Sequence, residues 1–398
     1  MEAMVRESIL NDQAAAVPKR IVALDRARTF ITLLVLLHHS VVNYTHFGSG
    51  DKARWLGFDL IVLFNDSFFM ACMFLISGLF VRDSLLRRSA ASYLGHRAWR
   101  LGIPYLVSIF VLMPVAYYPT FLRYHLPGTT DFNFFHFWWH TLTIGPWPSG
   151  PAWFIWVLLF FDFVVVLLWA AVPEAINGLG KAIYALRYRP GFAFAAFLVF
   201  SVIVYLPMRL YFGDAAWFEP DGFPLPIQTS RILLYLGYFL VGVGIGAMDL
   251  RSGIFAENGE LAARWKTWAA TALVFYGAIL FLVYAHHNWV ANFDSPPPWW
   301  SFGYALAFAL FSGAMAFAEP SLFLRFAKTP MRLLDAMRPS AYGIFLVHYI
   351  FIIWLQYAVY DPAWSPFVKF AIVFAGALGG SWGTVLLLRK IPMVARMI

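Results

Sequence analysis

The stretch from residue 24 to residue 46, LDRARTFITLLVLLHHSVVNYTH, joins a charged start to an apolar run that is long enough to cross a bilayer. The hydrocarbon core of a membrane is about 30 Å thick and takes about 20 residues of apolar helix. Nine further stretches of comparable length and apolarity follow, so the sequence predicts about ten transmembrane helices. They span residues 29–46, 58–81, 103–119, 153–172, 191–212, 228–248, 267–285, 300–318, 340–358 and 367–388.

The composition excludes a water-soluble globule. Of the 398 residues, 61% are apolar and 13% are charged, whereas about a quarter of the residues in a soluble domain are charged. The apolar stretches are continuous and lack the period-two alternation of membrane β-strands. The predicted fold class is therefore an all-α, polytopic membrane bundle. The single Cys72 excludes an internal disulfide framework and a cysteine-based metal site.

The placement of the cations predicts the topology. All but six of the 29 Lys and Arg residues lie at the two termini and in one set of alternate loops. Cytoplasmic loops carry such an excess, so both termini are predicted to be cytoplasmic, with an even number of spans between them. We therefore divide the chain into a cytoplasmic N-terminal segment (1–28), a transmembrane domain (29–388) and a cytoplasmic tail (389–398). The positive charge indicates topology and affinity for anionic lipid, and no nucleic-acid partner is predicted.

Polar side chains form a stripe along the first predicted helix. Arg28 and His39 are eleven residues apart, which places them within roughly 20° of one face and about 16 Å apart along the axis. Other polar residues in the same arc are Asp25, Thr32, Asn43 and His46. His38 lies about 80° away from Arg28.

Two interpretations of His39 follow from this stripe. Burial disfavours the charged form of an imidazole, which leaves a neutral base that takes a proton from an alcohol during attack on a carbonyl. The alternative is a histidine that packs and hydrogen-bonds across the bundle. We favour the first, because ionisable side chains inside membrane helices usually have a function.

Other polar residues in the apolar stretches also have more than one interpretation. Asp66 either orients His39, as a carboxylate orients a catalytic histidine, or pairs with a neighbouring arginine. Ser77, followed by a glycine, is more typical of close helix packing. His348 is a second intramembrane imidazole with a catalytic, positioning or structural role.

Two further pairs have spacings that suggest ligand binding. Arg97 and Arg100 share a helical face, as in a bidentate phosphate anchor, but from their spacing alone ordinary positive-inside charge is the favoured interpretation. His136 and His140 are four residues apart, but no third metal ligand is near them in the sequence, so no metal is predicted. An aromatic surface for a sugar or for the lipid interface is the favoured interpretation there.

Intramembrane His and Asp residues also occur in membrane proteins of other functions. A proton-coupled transporter uses them as relays and is the main alternative, although no internal repeat is visible. A haem protein with His39 and His348 as axial ligands is a second alternative. A lipid-binding scaffold without chemistry is the third.

Taken in order, these motifs resemble the acyltransferase-3 family of integral membrane acyltransferases. Within it the chain looks closest to the branch that contains the periplasmic-glucan succinyltransferases. The matching phrases are Leu24-Asp25-Arg26-Ala27-Arg28 with His39, Phe74 to Gly78, Arg97-x-x-Arg100 with Pro104, Gly150-Pro151-Ala152-Trp153-Phe154, and Ser340 to His348. Together they cover most of the chain.

The resemblance implies a fold of about ten helices in the bacterial inner membrane. It also implies transfer of a succinyl or acetyl group from cytoplasmic acyl-CoA to a hydroxyl of an envelope or exported glycan. Acyl-CoA is then a co-substrate, with no permanently bound cofactor, and the sugar acceptor and membrane lipid are the other partners.

The resemblance also assigns roles to residues. Arg28, Arg97 and Arg100 become donor-side residues that bind acyl-CoA, and His39 becomes the base or the acyl-relay residue. Asp66 stays a candidate catalytic partner of His39 on the separate ground given above. Further candidates are Asp25, Ser77, Trp153 and His348. A succinyl donor needs a cation for its free carboxylate, and Arg209 or Arg231 is the expected partner.

Overall fold

Helices make up almost all of the regular structure in the computed structural model, which describes residues 21–48, 50–124, 133–144, 149–214, 216–218, 225–290 and 295–398. In chain order the α-helices of these residues are α1 (Val22–Val41), α2 (Leu56–Asp66), α3 (Phe69–Gly78), α4 (Val81–Leu86), α5 (Ala90–Arg97), α6 (Ile103–Val107), α7 (Met113–Tyr124), α8 (Phe134–Thr143), α9 (Trp153–Ala171), α10 (Pro173–Ala185), α11 (Pro190–Phe212), α12 (Ile232–Gly246), α13 (Glu260–Ala263), α14 (Trp265–Trp289), α15 (Pro298–Phe326), α16 (Arg332–Met337), α17 (Ala341–Ala358), α18 (Pro366–Leu388) and α19 (Pro392–Ala395). Two short strands, β1 (Trp217–Phe218) and β2 (Ile227–Gln228), pair antiparallel.

The all-α, polytopic character predicted from the sequence is confirmed. Nine stretches of the described residues are long and apolar enough to cross a membrane. They are Leu56–Leu86, Ala90–Tyr124, Gly150–Ala171, Pro190–Phe212, Thr229–Gly246, Trp265–Trp289, Pro298–Phe326, Arg332–Ala358 and Pro366–Leu388. These stretches coincide with the second to the tenth predicted spans.

Helix α1 covers most of the first predicted span, but three charged residues in its first turns make it less apolar than the others. It runs beside α16 and α17 from one end to the other. Near its start, Arg26 donates to Asp335 in α16 at 2.7 and 2.6 Å. Just after its end, Asn43 donates to Gln356 near the end of α17 at 2.6 Å. The total of about ten spans stays a prediction, and this packing favours it.

Both ends of the described chain lie at the same end of the bundle. Arg26, near the start of α1, binds α16. Arg389, after α18, donates to the carbonyl of Pro339, and Ile398 lies against Gly343 at the start of α17. This agrees with an even number of crossings. We call this side the near end and the opposite side the far end; the cytoplasmic location of the near end stays a prediction.

The helical stretch from α5 to α7 is interrupted by three prolines, Pro104, Pro114 and Pro119, and contains two π-helical segments, Ala98–Gly102 and Ser108–Leu112. A proline has no N–H for the carbonyl four residues before it, and in lipid that carbonyl needs another donor. Each freed carbonyl receives a side-chain donor from a distant helix. The pairs are Tyr342 Oη with Arg100 O at 2.9 Å, Trp138 Nε1 with Phe110 O at 2.7 Å, and Trp354 Nε1 with Val115 O at 2.9 Å. This explains how a proline-rich segment forms a span.

Helices α3 and α12 are in backbone contact through glycines. A Cβ on Gly78 would lie 2.8 Å from the backbone nitrogen of Val243 and would clash with the carbonyl of Phe239. A Cβ on Gly242 or Gly246 would in turn meet the carbonyls of α3 and of the turn that follows it. Small residues let membrane helices approach this closely. Close helix packing was the favoured role of the Ser77-Gly78 pair, and Gly78 is the residue of the pair that makes this close contact.

Replacement of Gly78 by alanine is expected to lower stability by about 1–3 kcal/mol, since the new methyl group meets backbone atoms that have no alternative rotamer. Thermal unfolding of the detergent-solubilised protein measures the loss. Gly277→Ala in α14 is the matched control, because a Cβ there has no atom within 4 Å. Equal unfolding temperatures for the two variants would contradict the proposed close contact between α3 and α12.

Candidate active site

His39 lies near the far end of α1 and faces α17. Its ring centroid is 5.5 Å from that of His348 and 5.2 Å from that of Tyr349. The side chain is partly accessible, although helices surround it. The structure thus brings together two histidines that are more than 300 residues apart in the sequence, and of the two only His39 is partly accessible.

His348 is held in one orientation by its own helix. Its Nδ1 lies 2.7 Å from the carbonyl oxygen of Phe345, and because a carbonyl only accepts, Nδ1 carries the proton. In the neutral ring, Nε2 then has the free lone pair. That atom is buried and has no hydrogen-bond partner among the described residues. His348 therefore presents an unused acceptor within the site that contains His39.

Tyr349 and Tyr117 complete the aromatic wall beside the two histidines. Their ring centroids are 5.7 Å apart, and Tyr117 belongs to α7. Gly150, with φ +46, lies against Tyr349 and Met113, where a Cβ would not fit. The sequence pattern singled out neither tyrosine; the only signal was that Tyr349 directly follows His348.

His38 faces a different set of neighbours. Its ring meets that of His39 edge-on at 5.3 Å and lies 5.2 Å from the ring of Phe69. The charges that act on it are those of Asp66 and Arg231. His38 therefore lies near the charges of Asp66 and Arg231, whereas His39 faces His348 and Tyr349.

Asp66 pairs with an arginine, which is one of the two roles predicted for it. Its Oδ2 accepts from Arg231 Nη2 at 2.7 Å, and Arg231 Nη1 also donates to the Asp66 carbonyl at 3.2 Å. Arg231 lies 3.7 Å from Asp214, which is itself 3.3 Å from Arg209. Within the described part of the chain, Asp66 makes no hydrogen bond to His39. Its catalytic role stays a prediction.

The polar stripe of α1 is shorter than predicted. The α-helix ends at Val41 and is followed by a 3₁₀ segment, Val42–Tyr44, so the 100° phase does not continue to Asn43 and His46. Asn43 binds Gln356, whereas His46 Nδ1 lies 2.8 Å from Asp59 at the surface. Including His46 in the stripe was therefore wrong, whereas Asn43 still faces α17, the helix that His39 faces.

At the near end of α1, the neighbouring arginines are in different environments. Arg26 is buried and binds Asp335 together with the carbonyls of Ala327 and Thr329. Arg28 remains partly exposed, 3.8 Å from the buried carboxylate of Asp25. Arg26 thus anchors the turn between α15 and α16, while Arg28, eleven residues before His39 on the same helix, stays partly accessible.

Arg97 and Arg100 are also distinct from each other. Arg97 Nε lies 3.1 Å from Asp162 Oδ2 and donates to Tyr93 Oη at 3.0 Å, and Tyr93 in turn donates to the fully buried Asp162. Arg100 is exposed, in the π-helical segment next to Pro104. Asp162 was not among the residues predicted from the sequence, although a single aspartate inside an apolar span was a usable signal.

Ser77 and Trp153 occupy separate positions. Ser77 is partly accessible in α3, next to the glycine contact. Trp153 begins α9, and its ring stacks on that of Tyr235 with 5.7 Å between centroids and 29° between planes. It also meets the ring of Trp217 edge-on at 5.6 Å. These contacts place Trp153 on the side of the Asp66–Arg231 pair, away from Arg97 and Arg100.

His136 and His140 lie exposed on α8. The described residues contain no group of three or more His, Cys, Asp or Glu side chains that could hold a metal ion. The structure therefore adds no ligand to the pair.

Comparison with known families identifies the domain. Residues 21–386 match the model of the Acyl_transf_3 family, which is described as an acyltransferase domain. No curated protein matches the chain. The match extends from the start of α1 nearly to the end of α18, and thus includes His39 and His348 as well as Arg28, Arg97 and Arg100. On this evidence the chain belongs to the acyltransferase-3 family of membrane acyltransferases.

Proposed function

We propose that the protein transfers a short acyl group from acyl-CoA at the near end of the bundle to a hydroxyl of a glycan at the far end. Family membership supports an acyltransferase. The observation that carries the proposal is the accessible imidazole of His39 beside the buried acceptor nitrogen of His348. We further propose the bacterial inner membrane as the location, with the near end in the cytoplasm.

The chemistry requires one proton acceptor at the reacting hydroxyl. His39 takes the hydroxyl proton while the oxygen attacks the thioester carbonyl, and the carbon–sulfur bond then breaks. The proton passes from His39 to the departing CoA sulfur, so the imidazole returns to its neutral form. Transient acylation of His39 is the alternative route and uses the same ring.

On the donor side, Arg28, Arg97 and Arg100 are proposed to bind the CoA phosphates. Asp162 and Tyr93 fix the direction of the Arg97 guanidinium, whereas Arg100 is exposed. Arg28 lies eleven residues before His39, about 16 Å along α1. The extended arm of CoA suits a site in which phosphates and thioester are separated in this way.

The transferred group is proposed to be succinyl or acetyl, with succinyl favoured by the branch resemblance alone. Contact of a succinyl carboxylate with Arg209 or Arg231 stays a prediction. Both guanidinium groups are already paired with the carboxylates of Asp66 and Asp214. A further anion there would compete with these pairs.

The test of the function is release of free CoA thiol by the purified protein in detergent, with acetyl-CoA or succinyl-CoA and a glucan acceptor. Arg100→Gln is expected to raise the KM for acyl-CoA at least ten-fold, because a charge-assisted hydrogen bond to phosphate is lost. Arg251→Gln is the matched control, an exposed arginine at the same end. No thiol release above background with either donor would reject the function, and an unchanged KM would reject the role of Arg100.

A further inference from the structure

A second polar cluster lies on the far-end side of His39, formed by α2, the end of α11 with the segment after it, and the turn before α12. We call Asp66, Arg209, Asp214 and Arg231 the far cluster. Its two cations and two carboxylates are linked by the ion pairs described above and leave no net charge. Ionisable groups at such a depth usually serve a ligand or a proton pathway.

The accessible groups of the far cluster are its carboxylates. The side chains of Asp66 and Asp214 are 40% and 39% exposed, whereas that of Arg231 is 5% exposed. A ligand next to these carboxylates therefore meets negatively charged hydrogen-bond acceptors, with the guanidinium groups behind them. An anionic ligand is disfavoured by this arrangement, and a ligand with several hydroxyl donors is favoured.

An aromatic surface adjoins these carboxylates. Tyr235, against which Trp153 stacks, lies in the field of Arg231 and Asp66. Trp153 is partly accessible, and Trp217 extends the surface outward. An aromatic face next to fixed polar groups matches a ligand that has both an apolar face and hydroxyl groups.

A tyrosine beside the far cluster, Tyr205, has an unused hydroxyl group. Tyr205 is fully buried in α11, close enough to Arg209, Arg231 and Asp214 to interact with their charges. Its oxygen has no hydrogen-bond partner among the described residues. A buried hydroxyl without a partner is uncommon, so this group is available for a hydrogen bond with a ligand.

The far cluster connects to the catalytic base through His38. Asp66 acts on His38, whose ring lies 5.3 Å from that of His39. A ligand held by Asp66 and Trp153 would therefore lie beside the base that needs its hydroxyl.

We propose that the far cluster and Trp153 form the acceptor subsite and that this subsite binds an uncharged sugar. Asp66 and Asp214 accept hydrogen bonds from sugar hydroxyls, and Trp153 packs against the apolar face of the ring. This inference rests on the proposed function, since it names the class of acceptor for the same reaction.

The test is calorimetric titration of the full-length protein in detergent with hexasaccharides, in the absence of acyl-CoA. Maltohexaose, cellohexaose and laminarihexaose are the uncharged probes, and hexagalacturonate is the anionic one. At least one uncharged probe is expected to bind with a Kd ten-fold or more below that of hexagalacturonate. Trp153→Ala and Asp214→Asn are each expected to raise this Kd about ten-fold, and Asp66→Asn is a second carboxylate variant should one of these fail to fold.

Trp289→Ala, at an exposed tryptophan of α14, is the control and should leave the Kd unchanged. The proposal is overturned if no uncharged probe binds, if hexagalacturonate binds equally well, or if the folded variants bind like the wild type. Sugar binding without acyl-CoA does not depend on transfer. A failure of the acyltransferase function would instead appear as absent thiol release, so the two failures are distinguishable.

Discussion

Replacement of His39 by alanine is expected to lower kcat for acyl transfer by about 10²- to 10⁴-fold, the usual contribution of a general base. The ring is the accessible member of the His39–His348 pair, so its loss removes the only proton acceptor that the proposed mechanism uses. Release of CoA thiol at saturating donor and acceptor measures the effect.

Two further variants make the His39 test specific. His39→Gln keeps a polar side chain of similar length and serves if the alanine variant does not fold. His287→Ala is the matched control, because this histidine is exposed at the end of α14. The mechanism fails if a His39 variant with wild-type elution on size exclusion retains kcat within three-fold of the wild type.

Replacement of Lys369 by methionine is expected to lower stability by about 3–5 kcal/mol, since it leaves a buried carboxylate without its partner. Lys369 Nζ lies 2.8 and 3.1 Å from the two oxygens of Asp51 and donates to the Tyr360 carbonyl at 2.9 Å. Both side chains are almost fully buried. This pair ties the loop after α1 to the start of α18 at the far end.

The double variant Asp51→Asn/Lys369→Met distinguishes the contribution of the ion pair to stability from the cost of leaving one charge buried without a partner. It is expected to recover most of the loss, because no charge remains buried. Thermal unfolding of the detergent-solubilised protein measures all three proteins. Lys390→Met, at an exposed position, is the control. A single variant as stable as this control would show that Asp51 is solvated in the native protein.

The helical fold could be predicted almost completely because its signal is local. An apolar stretch of about 20 residues becomes a membrane helix largely independently of its neighbours. Lipid solvates its apolar side chains, and the helix satisfies its own backbone hydrogen bonds. Pro104, Pro114 and Pro119 made one span look weak. Their carbonyl partners come from Tyr342, Trp138 and Trp354, and no local pattern could have indicated those donors.

The site could be predicted only in part. Arg28 and His39 lie within one continuous helix, as the predicted phase requires, but that helix ends at Val41, and His46 beyond it binds α2 instead of continuing the stripe. Asp162 was missed because its partner, Arg97, was interpreted as a phosphate ligand or as loop charge. Where a helix ends and which buried charges pair both depend on tertiary packing. The periodicity of residues in the sequence carries no information about that packing.

The amino-acid sequence by itself determined the all-α membrane class, the approximate positions of the spans and the family, because each depends on hydropathy or on short motifs along the chain. Only the tertiary structure decided that His348 faces His39 and that Asp66 pairs with Arg231. These partners are separated by more than 160 residues, so the packing of the helices, not any spacing in the sequence, sets their distance. That packing determines which histidine is accessible and which charges are neutralised before a substrate arrives.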